Sequence, residues 1–202
     1  MNSEYLAFYA KHTSEIDFFW EMDDEELTDK LINIGFNKNE VENQYIPLQR
    51  EYFDLLDDDL KKLWEIVSIK MAGIAPNAIK KRRSKCQNIY KMGLINNNKL
   101  LLELRFEIDS FDGKAICKFG IWTKGGKAAA TNLLQIFPQD SWSILTDWNS
   151  GSVVHNDILI SEFMDNEQKF IDLQKLAESI VQPFRDIDET QWKNILAIAN
   201  PQ

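Results

Sequence analysis

The chain has 202 residues, 44% of them hydrophobic and 27% charged, with a net charge of −9. This suits one large domain or two small ones with a sizeable core, and 12 Phe, 6 Trp and 5 Tyr exclude a disordered chain. No apolar run reaches the roughly 18 residues of a membrane span, and Met1-Asn2-Ser3-Glu4 lacks the basic and apolar regions of a secretory signal, so a cytoplasmic protein with Cys86 and Cys117 as reduced thiols is expected.

Charge is sorted along the chain. Residues 1–59 hold 16 acids and 4 bases, a net of −12; residues 60–99 hold 10 bases and Glu65, a net of +9; residues 100–202 hold 15 acids and 9 bases, a net of −6. Sorting of this kind bears on partners and long-range fields rather than on fold.

Residues 4–22 predict one helix. Ser3 suits its N-cap, and Tyr5, Phe8, Tyr9, His12, Ile16, Phe19 and Trp20 recur at helical spacing, which places His12 on the packed stripe. A second helix is expected from Asp23 or Asp24, with acids in its first turn and Gly35 as a left-handed cap. Leu27, Leu31, Gly35 and Phe36 resemble the loop of small ubiquitin-binding three-helix domains, but Ile34 stands where that loop has Met, and no family is assigned on so few residues. Pro47 suits the first turn of a third helix, whose stripe runs from Tyr52 to Val67. Asp57-Asp58-Asp59 forms either its polar face or a cap that splits it, and Gly73 and Pro76 stop it. Residues 76–99, with the run Lys80-Lys81-Arg82-Arg83-Ser84-Lys85 and Asn96-Asn97-Asn98, read as a basic linker.

Beyond it the period changes. Leu102, Leu104, Phe106 and Ile108 alternate with Glu103, Arg105, Glu107 and Asp109, a half-buried antiparallel strand. A turn at 110–113 leads to a return strand facing inward at Ala115, Cys117, Phe119 and Ile121. Lys127 to Phe137 reads as a short helix, Trp142, Ile144 and Trp148 as a strand, 149–151 as a turn and Val153 to Phe163 as its partner. Asp165 with Gln168 resembles a capping box before a helix ended by Pro183, and Asp188 with Gln191 opens the last helix. The expected fold is α+β: an acidic helical part (1–75), the basic linker (76–99), and an antiparallel ββαββ sheet with two C-terminal helices (100–202), all compatible with one continuous domain.

Few residues point to chemistry. His155 lies beside Asn156 and Asp157, and an adjacent carboxylate can orient a histidine as a general base, but no motif supplies a nucleophile. Two distant His and two distant Cys offer no metal-ligand spacing, so neither a metal nor a cofactor is expected. Glu107, Asp109 and Asp112 face Lys114 and Lys118 across a hairpin, but a metal-dependent nuclease core needs an acid two residues before the lysine, and Ile116 stands there. Gly125, Gly126 and Lys127 join a strand to a helix and form a possible anion-binding loop, although the phosphate-loop pattern fails at Ile121 and Ala128.

The expectation for function rests on charge. A non-enzymatic acidic binding protein, of the kind that serves as an immunity protein, inhibitor or antitoxin against a basic toxin or nuclease, is expected to use Asp23, Asp24, Glu25, Glu26, Asp57, Asp58 and Asp59, with Trp20 or Tyr45 as the aromatic anchor. The alternatives are a nucleic-acid regulator acting through the basic run, an acidic mimic of DNA, and an enzyme whose site leaves no motif. The anionic body disfavours binding to a polyanion directly.

Overall fold

The computed structural model describes residues 1–20, 22–74, 80–86, 89–96, 99–138, 140–146 and 151–199. The expectations placed on Pro76, Asn97, Asn98, Trp148, Asn149 and Ser150 lie outside the described residues.

The front is helical. Ser3 caps α1 (Glu4–Lys11), its hydroxyl accepting from Leu6 N at 3.0 Å. The single helix expected over 4–22 is broken at His12, before α2 (Thr13–Trp20). The Thr13 hydroxyl donates to the Tyr9 carbonyl at 3.0 Å and competes for the acceptor a continuing helix uses. His12 is therefore not a core histidine: it is exposed and rests against Phe8, ring centres 4.6 Å apart. Asp23 caps α3 (Asp24–Asn33). Gly35 adopts φ 104°, with Phe36 N donating to Leu31 O and Gly35 N to Ile32 O, the paired bonds of a Schellman motif. A short α4 (Lys38–Glu40) and one π turn (Val41–Tyr45) lead into α5 (Ile46–Ala72), which runs unbroken for 27 residues through the aspartate triplet.

Six antiparallel strands form the main sheet: β2 (Lys80–Cys86), β3 (Ile89–Asn96), β4 (Lys99–Phe111), β5 (Lys114–Thr123), β6 (Ser143–Leu145) and β7 (Ser152–Leu159), in the order β2-β3-β4-β5-β7-β6. The stretch read as a basic linker thus supplies two strands. Tyr90 and Met92 turn inward while Lys91 between them turns out, and β2 is held as an edge strand by its ladder to β3. A charged edge strand discourages pairing with other chains. Asp112 (φ 53°) and Gly113 (φ 69°) make the tight β4–β5 turn.

Helix α6 (Gly126–Leu134) links β5 to β6, and a 3₁₀ turn (Ile160–Phe163) follows β7. No helix starts at Asp165; its carboxylate accepts from Lys169 N and Phe170 N in a loop. Helix α7 (Leu173–Arg185) starts eight residues later with Asp172 as its cap, and it passes through Pro183 rather than ending there. Buried Phe184 holds that last turn on the core, so packing overrides the lost backbone bond. Asp188 and Gln191 form the expected reciprocal capping box at α8 (Glu189–Ala199).

The fold is α+β. One face of the sheet (Tyr90, Met92, Leu104, Phe106, Cys117, Phe119, Ile121, Val154) shares a core with α1, α5, α7 and α8. Strands β1 (Asn2–Ser3) and β8 (Ile171–Asp172) pair and tie the start of the chain to α7, so front and back are built on a common core. A satellite cluster of Leu27, Val41 and Ile46 holds α3 and the π turn on the start of α5. Among the described residues no helix is long and apolar enough to cross a membrane.

Candidate functional site

The seven acids expected to face a partner fall into two groups with different fates. At the α3 N-terminus, Asp23 is occupied as a cap, Asp24 pairs with Arg50 of α5, Glu26 pairs with Lys30 at 3.0 Å, and all of 23–26 are exposed. An open hollow beside them is lined by Asp24, Glu25, Asp29, Glu42, Lys38 and Arg50. In α5 the triplet diverges, because successive helical side chains point about 100° apart. Asp57 accepts from the Tyr90 hydroxyl at 2.8 Å and pairs with Lys61 at 3.2 Å. Burial and then this hydrogen bond push the Tyr90 phenol above its usual range. Asp58 is exposed and pairs with Lys61 at 2.8 Å.

Asp59 is not on the surface: it is 4% exposed, accepts from the Ser3 hydroxyl at 2.5 Å and meets Lys62 at 2.7 Å. Its hydrogen bond to Lys62 is the main reason that the lysine is held above its usual range. Asp59 joins α5 to the capped start of α1 and is structural.

Apolar surface accompanies the first group. Tyr45 (41% exposed) meets Phe36 (37% exposed) edge-on, ring centres 5.2 Å apart. Ile34 and Leu48 are exposed too; Ile34 precedes the Gly35 cap, and Leu48 lies three residues beyond Tyr45. Sequence reasoning anticipated Tyr45 as an anchor and singled out Ile34 and Phe36 only through a loop resemblance, and it missed Leu48. The available signal was Phe36 just beyond the Gly35 cap, and Leu48 one helical turn beyond Tyr45. The expectation placed on the Trp20 side chain lies outside the described residues.

The sheet's second face is mixed: Ile116, Trp122 and Val153 are buried on it, and a band of polar residues runs between them. Register places Lys91, Arg105, Gly120, His155 and Ser143 side by side across five strands, with Glu107, Lys118 and Asp157 in the row beside them. Buried Arg105 donates to Glu103 at 2.7 Å and lies over the Trp122 ring, 4.2 Å from its centre. Lys118 bonds Asp109 at 2.6 Å and lies 3.8 Å from Glu107. Burial raises the Glu107 carboxyl to about 7, against the smaller pull of Lys118. For Lys118 burial opposes the charge, but the Asp109 hydrogen bond and the surrounding carboxylates outweigh it and the net direction is upward.

In the same face Ser143 Oγ lies 3.0 Å from His155 Nε2, and His155 Nδ1 lies 3.0 Å from Asp157 Oδ1. Ser143 is exposed on the edge strand β6. The pairing of Asp157 with His155 was legible as a two-residue spacing on one strand; Ser143, twelve residues upstream, carried no motif.

At the glycine loop, Gly125 N donates to Thr123 Oγ1 at 3.1 Å, Gly126 adopts φ 66°, and Lys127 is exposed in the first turn of α6. Among the described residues no group of three or more His, Cys, Asp or Glu is placed to hold a metal ion. No protein-family model, no curated protein and no solved structure matches the chain.

Proposed function

We propose that this chain is an acidic binding protein whose α3–α5 end docks on a basic protein partner, of the toxin or nuclease class that immunity proteins and inhibitors neutralise. The observation that carries the reading is the exposed Phe36–Tyr45 pair, with exposed Ile34 and Leu48, set in an acidic segment. Residues 23–48 hold seven acids and two lysines, a net of −5. Solvent-exposed aromatics rimmed by like charges have the composition of an interface anchor with a steering rim. The rim acids Asp24, Glu25, Asp29 and Glu42 act collectively, since isolated surface ion pairs contribute only about 0–1 kcal/mol each.

The test uses the immobilised chain to isolate a basic partner from its host, then follows association across salt. Asp24→Lys with Glu25→Lys should slow association and flatten its salt dependence, while Phe36→Ala should mainly speed dissociation. Asp57 and Asp58 serve as a comparison patch. A protein that stays folded with all three parameters unchanged in both variants would sink the reading.

A further inference from the structure

We infer that Ser143 is an activated nucleophile served by His155, giving the far face of the sheet a weak acyl-transfer activity towards carboxylic esters with good leaving groups. The inference is independent of the binding reading, which concerns α3–α5. It rests on an ordered chain of two hydrogen bonds, Ser143 Oγ to His155 Nε2 and His155 Nδ1 to Asp157 Oδ1, each 3.0 Å. Asp157 accepts only, so the proton between it and His155 belongs to Nδ1; Nε2 is then the bare acceptor for the Ser143 hydroxyl. This is the connectivity by which a serine, a histidine and an aspartate cooperate on unrelated folds, recognised by geometry rather than by order in the chain.

Three features of the sheet hold the arrangement. His155 and Asp157 are two apart on β7 and share a face. Ser143 is the direct cross-strand partner of His155. His155 also pairs with Gly120 of β5, where a methyl group would lie 2.7 Å from the His155 Cα and 2.1 Å from the Val154 carbonyl oxygen, so the glycine is what admits β7 so close beneath the histidine. The His155 side chain is only 11% exposed, which limits its freedom, whereas Ser143 is open on an edge strand and reachable by a substrate.

The chemistry is closed without a further reactant beyond water. Ser143 Oγ bonds to the ester carbonyl carbon as its proton passes to His155 Nε2. The carbon–oxygen bond to the leaving group then breaks, and that oxygen takes the proton from Nε2. Water, deprotonated in turn by Nε2, bonds to the acyl carbon, and the serine–acyl bond breaks as the proton returns to Oγ. Asp157 is a positioning residue, fixing the ring and its tautomer. With Ser143 exposed on an edge strand, the arrangement suits substrates whose leaving group needs little assistance, aryl esters rather than amides.

The experiment treats the full chain with a fluorophosphonate probe and, separately, with p-nitrophenyl acetate. The expected result is a single adduct mapped by mass spectrometry to Ser143, and ester hydrolysis lowered about 100-fold, to the background rate, in Ser143→Ala. His155→Gln should abolish the adduct, and Asp157→Asn should lower kcat with KM unchanged. Hydrolysis equal in wild type and Ser143→Ala, or an adduct at Ser143 that persists at the same rate in folded His155→Gln, overturns the inference. If His155→Gln does not fold, Ser143→Ala and the mapped adduct decide alone.

Discussion

Glu107→Gln isolates the energetic consequence of placing a carboxyl in the second face of the sheet. The Glu107 side chain is 15% exposed and its pKa is raised from 4.5 to about 7, chiefly by burial, with Lys118 at 3.8 Å pulling the other way. In the folded state it therefore keeps its proton at a pH where the unfolded chain has released it. Below pH 4.5 both states are protonated and the group contributes nothing against folding. Between about 4.5 and 7 folding loses stability at 1.36 kcal/mol per pH unit, and above about 7 the full penalty, about 3 kcal/mol, is in place. Glutamine fills the same space without a charge and removes the penalty. Urea unfolding at constant ionic strength should show Glu107→Gln gaining about 2 kcal/mol more over wild type at pH 8.5 than at pH 5.5, a window clear of the isoelectric point near 4.8. An equal effect at both values refutes the reasoning. Greater destabilisation by glutamine at pH 8.5 would mean that attraction to Lys118 outweighs desolvation.

The buried join between α5 and α1 is open to the same kind of measurement. Ser3→Ala removes both a helix cap and a donor to Asp59, and should lower stability by about 2 kcal/mol; Asp59→Ala should cost about 1–3 kcal/mol, and the double variant less than the sum, as urea unfolding of all three will show. Cys117 is fully buried and burial raises its thiol well above the ordinary range, so a thiol reagent should label it only on unfolding; rapid native labelling, read by mass spectrometry, would contradict its placement in β5. Gly120→Ala drives a methyl group into the Val154 carbonyl oxygen and should destabilise by more than about 3 kcal/mol, read as a fall in Tm by circular dichroism, whereas Gly35→Ala meets open space and loses only the ease of its positive φ, roughly 1 kcal/mol.

Local rules were sufficient wherever one element's own residues decide its state. The Asp23 cap, the Gly35 termination, the β4–β5 hairpin and the Asp188–Gln191 box all depend on neighbours within a few positions, and all stand where the residue pattern places them. The α+β class followed from the change of hydrophobic period near Leu100, because side-chain period is a property of the backbone conformation itself. What the pattern left open was settled by contacts between distant segments. The run Lys80–Lys85 has no alternation of its own and becomes a strand because β3 offers it a ladder. Pro183 stays helical because Phe184 is buried beyond it. Three consecutive aspartates look equivalent in sequence, yet helix rotation sends Asp58 to solvent, Asp57 to Tyr90 and Asp59 inward to Ser3, 56 positions away. Ser143 meets His155 because the β6–β7 register sets them opposite each other, and a shift of one residue would turn the serine to the other face. Charge and period are carried by each residue singly; registry and burial belong to pairs, and only the folded chain brings the pairs together.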